Sequence, residues 1–277
     1  MAKTNVNGLD PHQQEFVKLI RENADRHPVH EVFRDFCEMG AIALSNKVDM
    51  LNRGKREDRY LEIIKRYRPG EVHRFPEMFG AMVASLELGF HDCLGELFMA
   101  LELGDHWKGQ YFTPFSIASL MARMTMGDVR DLIARKGFFT INEPCAGAGA
   151  MFIAAAQAVH EQGINYQQHM HATAQDIDLT AVHMSYVQLA LYHIPAIVIH
   201  GNSLAVTEWD HWVTPAHVLG RWDRRFQLDA AVNGFLALDG QAEQEQESAE
   251  PAAELFPIEH MRAEVVGQRI EQLGLFA

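Results

Sequence analysis

Two carboxylates, Glu143 and Asp176, stand with the glycines Gly147 and Gly149 and the amide Asn202 in an order that can build a small-ligand site. The segment Glu143-Pro144-Cys145-Ala146-Gly147-Ala148-Gly149 follows the apolar run Phe138-Phe139-Thr140-Ile141 and leads into Met151-Phe152-Ile153-Ala154-Ala155-Ala156. That order predicts strand, glycine turn and helix. The glycines let the backbone turn tightly and approach a ligand with no Cβ in the way. A lone Gly-x-Gly more often closes an ordinary loop, but three neighbours favour a site. Glu143 at a strand end can accept hydrogen bonds from an amine or a ribose. Phe112-Thr113-Pro114 reads as a helix entry, with Thr113 as N-cap and Pro114 at the first helical position. Ala172-Thr173-Ala174-Gln175-Asp176-Ile177-Asp178 reads as a second strand ending in acids, where an acid usually holds ribose hydroxyls.

The chemistry of the ligand follows from what is missing. There is no second glycine pair and no basic residue beside the turn to meet a pyrophosphate. A nucleoside without phosphates suits such a pocket better than NAD or ATP. S-adenosylmethionine fits, with its adenine, its ribose and its zwitterionic amino-acid tail.

The elements that must position these residues alternate from Pro114 onward. The pattern predicts a helix to about 135, a strand at 138–142, a helix at 149–161 and a strand at 171–176. A helix at 179–192 and a strand at 196–200 complete it. Helix 179–192 carries Val182, Tyr186, Leu189 and Ala190 on one stripe, suited to lie on a sheet. Alternation of this kind makes a doubly wound parallel sheet with right-handed crossovers. Residues 11–107 read as helical throughout, from pairs such as Phe16-Val17 with Ile20 and Val32-Phe33 with Phe36. The methionines at 121, 124, 126 and 151 read as core filler.

Composition sets the outer limits. The 277 residues are 48% hydrophobic, enough for one large domain or a domain with an accessory module. No apolar run is long enough to span a membrane, and the polar N-terminus does not read as a signal peptide. Cys37, Cys93 and Cys145 are odd in number and widely spaced, which points to a reducing cytoplasm rather than to disulfides or zinc. Cys145 lies inside the glycine turn and reads as packed there, not as a nucleophile. The fifteen histidines show no ligand spacing, so no metal is expected. The net charge of −13 is concentrated in residues 236–277, with nine acids against two arginines. Residues 47–74 instead hold nine Lys/Arg against five acids, read as a solvated helix face ahead of a DNA contact. Arg221, Arg224 and Arg225 beside Trp222 form a second cluster able to touch a phosphate or stack on a base.

The ordered set Gly109-Gln110-Tyr111-Phe112-Thr113-Pro114, Glu143 to Gly149, Gln175-Asp176-Ile177-Asp178 and Gly201-Asn202-Ser203-Leu204 resembles the adenine-N6 DNA methyltransferases. The likeness is to the modification subunits of type I restriction systems and their phage and plasmid cousins, over about residues 30–205. In that family the turn reads Asp-Pro-x-Cys-Gly-Ser-Gly; here Glu143, Ala146 and Ala148 are mild departures. The resemblance implies a Rossmann-like class I methyltransferase sheet behind an all-helical N-terminal module, with DNA as substrate. It implies that Phe112, Thr113 and Pro114 line the methionine end, and that Glu143, Pro144, Gly147 and Gly149 form the turn beneath it. Asp176 would hold the ribose, and Asn202 would stand where relatives carry an acid facing the adenine. The expected domains are a helical module at 1–108, the cofactor-binding domain at 109–238, and an acidic linker with a terminal peptide at 239–277.

The second half of the chemistry is thin. Relatives hold the target amine with Asn/Asp-Pro-Pro-Tyr/Phe after the fourth strand, so that the nitrogen lone pair faces the methyl group. That motif is absent. Asn233-Gly234-Phe235, after the strand-like 228–232, and Thr214-Pro215-Ala216-His217 are the stand-ins, with Asn233 and Phe235 in the better context. Few residues separate Asn202 from the acidic linker, so the sheet is expected to be incomplete and a specificity or modification partner subunit is expected to supply target recognition. The ending Gln272-Leu273-Gly274-Leu275-Phe276 resembles the bacterial sliding-clamp peptide, in which Gln272, Leu273, Leu275 and Phe276 would make the contact; a helix end packed on the body explains it equally well. The leading reading is a DNA adenine-N6 methyltransferase using S-adenosylmethionine. The runner-up is a catalytically inactive cofactor-binding pseudo-methyltransferase acting through protein contacts, for instance against restriction. A methyltransferase for RNA or protein shares the same pocket.

Overall fold

Two helix starts in the first hundred residues, at Pro11 and Cys93, are written in the sequence as aspartate caps. The computed structural model describes residues 8–103 and 112–233. Helix α1 (Pro11–Asn23) is capped by Asp10, whose carboxylate accepts from the His12 and Gln13 amides while the Gln13 side chain returns to the Asp10 amide. Helices α2 (Val29–Ser45), α3 (Arg53–Ile64) and α4 (Pro69–Leu86) follow, then α5 (Cys93–Ala100), capped by Asp92. Phe16, Phe33 and Phe36 meet edge to face between α1 and α2, the arrangement favoured by aromatic quadrupoles.

Past the undescribed stretch 104–111, α6 (Phe115–Met126) and α7 (Arg130–Lys136) precede β1 (Phe139–Glu143). The single helix expected to about 135 is thus two. Gly127, with φ 52° and ψ −151°, ends the first. Then come α8 (Ala150–Glu161), the single turn α9 (Tyr166–His169), β2 (Met170–Asp176), α10 (Leu179–Leu191) and β3 (Ala196–Asn202). Of these, α8, β2, α10 and β3 lie within two residues of the spans expected from the pattern, and α9 was not expected. A fourth strand, β4 (Thr207–Val213), and the short α11 (Pro215–Leu219) were not legible in the periodicity.

The sheet order is β1-β2-β3-β4, with β1, β2 and β3 parallel and β4 antiparallel to β3. Rossmann-like crossovers through α8 and α10 bring the carboxyl ends of β1 and β2 side by side, pairing Glu143 with Ala174. Among the described residues the sheet is mixed and four-stranded, with β1 at an edge. Helix α10 is buried along almost its whole circumference from Ala181 to Ala190, because it is caught between the sheet and α2. It therefore reads as more than the single apolar stripe expected of a helix lying on a sheet. The α2–α10 packing joins the helical N-terminal part and the sheet in one hydrophobic core. Ala118 and Ala122 of α6 pack against Ala150, Ala154 and Ala158 of α8, small residues that allow close approach.

Residues up to Gln227 form one compact unit. A second unit covers 228–277, of which 228–233 are described, and these are helical. The strand expected at 228–232 is therefore corrected to helix. The terminal peptide at 272–276 and Phe235 lie outside the described residues. No helix among the described residues is long and apolar enough to cross a membrane.

Four of the nine basic residues at 47–74 pair with acids, while most of the run stays exposed, as a solvated helix face requires. Arg59 pairs with Glu38, Arg66 with Asp35 and Arg74 with Glu22. Arg56 is buried, pairs with Asp49 at 2.7 Å, and lies 3.8 Å over the Trp212 ring of β4. In the second cluster Arg221 and Arg224 are exposed, while Trp222 and Arg225 are structural. Trp222 is fully buried against Phe138 and His171, Arg225 stacks on its ring, and the Arg225 guanidinium donates to the Gln168 carbonyl. That ring is not available to a base.

Candidate cofactor site

A turn that must leave a strand, contact a ligand and enter a helix within six residues needs backbone angles that side chains resist. Gly147 has φ 55° and Gly149 φ 94°, both in the left-handed region. A Cβ at Gly147 would meet the Phe112 ring at 2.9 Å, and one at Gly149 would meet Ser185 of α10 at 3.2 Å. Gly147 thus admits an aromatic ring against the backbone, and Gly149 admits α10 beneath the start of α8. Three hydrogen bonds hold the turn. The Ala146 amide donates to the Gln175 carbonyl at 2.9 Å, the Gly147 amide to Asp176 Oδ2 at 2.8 Å, and the Gly149 amide to the Ala146 carbonyl at 2.9 Å.

Around this turn lies a cavity of about 480 Å³, within the range of small-molecule sites. Glu143 and Asp176 enter from the ends of β1 and β2, Gly147 and Ala148 form its floor, and Phe112 and Thr113 enter ahead of α6. Met121, Met151 and Ile177 add apolar wall. Phe112 is held by an edge-to-face contact with Phe98 of α5, 4.9 Å between centroids. Of the residues read from the sequence, the structure brings together Phe112, Thr113, Glu143, Gly147 and Asp176.

The others do different work. Gly149 is the N-cap of α8 and spaces it from α10. Pro144 contributes its carbonyl to the Ser203 hydroxyl at 2.6 Å. Pro114, not Thr113, is the N-cap of α6, and no side chain caps that helix. Asn202 does not line the cavity. Its Oδ1 accepts from the amides of Leu204 and Ala205, closing a local turn after β3. The Asn233 amide donates to Asp229 Oδ2 one helical turn earlier, so the strand-end context expected for it is absent. Thr214 and Pro215 start α11 beside Ala196, at the amino end of β3 and away from the cavity-forming strand ends. Cys145 is exposed and lines the cavity, where the sequence had it packed.

Two lining acids, Asp92 and Asp178, were not assigned to the site from the sequence, although Asp178 was read among the acids ending the second strand. Asp178 caps α10 through the Thr180 and Ala181 amides. Asp92 comes from far upstream, in the segment Asp92 to Phe98 that shares the family resemblance, and it caps α5 through the Gly95 amide. Its burial raises its carboxyl pKa to about 6, against the lowering effect of hydrogen bonds from Gln188 and the Gly95 amide.

The cavity wall therefore holds four carboxyl groups, Asp92, Glu143, Asp176 and Asp178, and no Lys, Arg or His among the described residues. Such a wall repels a pyrophosphate and attracts a cation. S-adenosylmethionine carries an ammonium and a sulfonium against one carboxylate, so the residues present fit it. Among the described residues no three His, Cys, Asp or Glu side chains converge on a metal-sized site.

Residues 99–228, a little under half of the chain, match the family model described as N-6 DNA methylase. No curated protein matches the chain. Members of that family generally use S-adenosylmethionine. The matched segment contains the glycine turn and both acidic strand ends, so the part of the chain that lines the cavity, Asp92 apart, is the part similar to the N-6 DNA methylases.

Proposed function

We propose that the protein binds S-adenosylmethionine in this cavity and takes part in methylating the exocyclic amine of adenine in DNA. One observation carries the reading. Glu143, Gly147 and Asp176 rim one hollow at the carboxyl ends of adjacent parallel strands, inside the segment that matches the N-6 DNA methylases.

The bound cofactor would supply a methyl group on a positively charged sulfur, open to attack by a nitrogen lone pair. The chain's own residues would do the positioning. Asp176, fixed by the Gly147 and Asp178 amides, keeps one lone pair on each oxygen for ribose hydroxyls. Glu143 faces the same side, with the Cys145 amide on its Oε1 at 3.2 Å. Phe112, Met121 and Met151 keep water from the reacting end. DNA as substrate, a partner subunit for target recognition, and a sliding-clamp contact through Gln272, Leu273, Leu275 and Phe276 are parts of the same proposal.

The partner is more than an accessory in this reading. An adenine amine needs acceptors that draw off its hydrogens as its lone pair turns toward the methyl group. No described residue beside the cavity supplies an amide for this, and Asn233 sits in a helical segment. That observation also favours a second reading, a cofactor-binding protein without methyltransferase activity.

One assay separates the two. The full chain is incubated with DNA and S-adenosylmethionine labelled in its methyl group, alone and with candidate partner subunits, and calorimetry is run in parallel. Label on adenine supports the enzyme. Binding without transfer under every condition supports the second reading, and no binding at all removes both.

A further inference from the structure

Asp92 is an unusual residue for the wall of a cavity. It is 3% exposed, and it is placed by two elements distant in sequence. Its Oδ1 accepts from the Gly95 amide at 2.9 Å and from Gln188 Nε2 at 2.7 Å. The same Gln188 nitrogen donates its other hydrogen to the Ala148 carbonyl at 2.8 Å, while Gln188 Oε1 accepts from the Leu94 amide. Gln188 is fully buried and fully used, so it clamps Asp92 to the floor of the glycine turn. Oδ2 of Asp92 accepts no hydrogen bond among the described residues.

The other lining acids also hold backbone amides, but none of them is buried as Asp92 is. Asp178 caps a helix, Asp176 takes a backbone amide on each oxygen, and Glu143 takes the Cys145 amide. Glu143 and Asp176 stand together at neighbouring strand ends. Asp92 approaches from α5, which also carries the Phe98 ring against Phe112. An anion held this way, with one oxygen free, is a seat for a compact cation with several donors.

We propose that Asp92 binds the α-ammonium of the cofactor's amino-acid tail. This rests on the cavity being the S-adenosylmethionine site. It assigns the tail to the Asp92–Phe112 side and leaves the nucleoside to the strand ends. Gln188 is then a positioning residue, holding the Asp92 carboxylate against the turn. Burial already favours the neutral acid, so an ammonium on Oδ2 would restore the charge that burial opposes.

Two ligands test this without any turnover. S-adenosylhomocysteine carries the amino-acid tail, and 5′-methylthioadenosine carries the same nucleoside and sulfur without it. In calorimetry on the full chain, Asp92→Asn should weaken S-adenosylhomocysteine by about tenfold or more and leave 5′-methylthioadenosine unchanged. Asparagine can still accept from the Gly95 amide, and a thermal melt checks the fold. Equal affinity of wild type and Asp92→Asn for S-adenosylhomocysteine would overturn the assignment. Failure of the wild type to bind either ligand would remove the cofactor reading beneath it.

A second measurement needs no variant. Wild-type affinity for S-adenosylhomocysteine should rise between pH 5 and 7.5 as Asp92 ionises, while 5′-methylthioadenosine stays flat. The charged and titratable groups around Asp92 are Glu96, His91 and Cys93 on its own side, Tyr192 after α10, and Glu143, Asp176 and Asp178 across the cavity. Those groups are present for both ligands, so the difference between the two profiles isolates the ammonium. Parallel profiles would overturn the proposal.

Discussion

The Gly147 amide donates to the Asp176 carboxylate at 2.8 Å, tying the turn after β1 to the end of β2 across twenty-nine residues. The acid thus has two tasks, holding the floor of the cavity and facing its interior. Asp176→Ala removes the acceptor of a backbone amide and the proposed ribose contact together. Cofactor affinity should fall by about tenfold or more, with stability lower by ~1–2 kcal/mol. Calorimetry and thermal denaturation read the two effects separately. Undiminished affinity in a folded Asp176→Ala protein would remove the ribose assignment.

Gly147→Ala should be worse for binding than its size implies. Its φ of 55° costs an alanine ~1 kcal/mol or more, and the new methyl would press on the Phe112 ring from 2.9 Å. Phe112 is trapped from behind by Phe98, so it has little room to yield. The expected outcome is a loss of cofactor affinity larger than the loss of thermal stability. Gly147→Ala combined with Phe112→Ala should recover part of the stability and none of the affinity.

At the amino end of the sheet, His171 Nε2 meets His217 Nδ1 at 2.9 Å, and His217 Nε2 meets Asp223 at 3.1 Å. With the carboxylate accepting from Nε2, His217 Nδ1 must accept from His171, which leaves His171 Nδ1 buried without a partner. Burial lowers the His171 pKa to about 3 and that of His183 to about 4. The unfolded chain takes up these protons below pH 6.5 and the folded chain does not. Stability is therefore full above pH 6.5 and is lost as pH falls toward 4. By pH 4.5 the loss is on the order of 2 kcal/mol per histidine. Urea denaturation across pH 4.5–7.5 should show this slope, and His171→Phe should reduce it. An unchanged slope in that variant would place the acid sensitivity elsewhere.

Arg56 joins α3 to β4 through one buried guanidinium. It donates to Ser45, to Asp49 and to the His211 carbonyl, and it covers the Trp212 ring. Removing it leaves Asp49 with only the Asn52 hydrogen bonds and no counter-charge, and exposes the Trp212 face. Arg56→Ala should cost ~3 kcal/mol. Arg56→Ala with Asp49→Ala should cost less than the two single changes added, because no unpaired charge remains. Lys55→Ala, one residue away on an exposed face, should change stability by less than about 0.5 kcal/mol.

Local order was the readable part of this chain. A strand, a Gly-x-Gly turn and an alanine-rich helix follow one another because each depends on residues within one or two turns of itself. The turn between β1 and α8 and the acids ending β1 and β2 could therefore be located from residue types alone. The same locality explains the near agreement of α8, β2, α10 and β3 with their expected spans. What the sequence by itself determined is the parallel core of the sheet and the glycine floor of the cavity.

The tertiary structure decided the rest, because it depends on which distant residues meet. Asp92 became a wall of the cavity only when Gln188, ninety-six residues later, clamped it to the turn. Asn202 left the cavity because two amides just beyond it in the chain compete more effectively for its oxygen. The basic run at 47–74 is a mostly exposed face, and only the fold shows that Glu22, Asp35, Glu38 and Asp49 stand opposite four of its arginines. Strand β4 pairs antiparallel with β3, and its alternation is too weak to announce a strand without that neighbour. Periodicity records which face of an element is buried. It does not record what lies across from it, and the charge balance of the cavity depends on that.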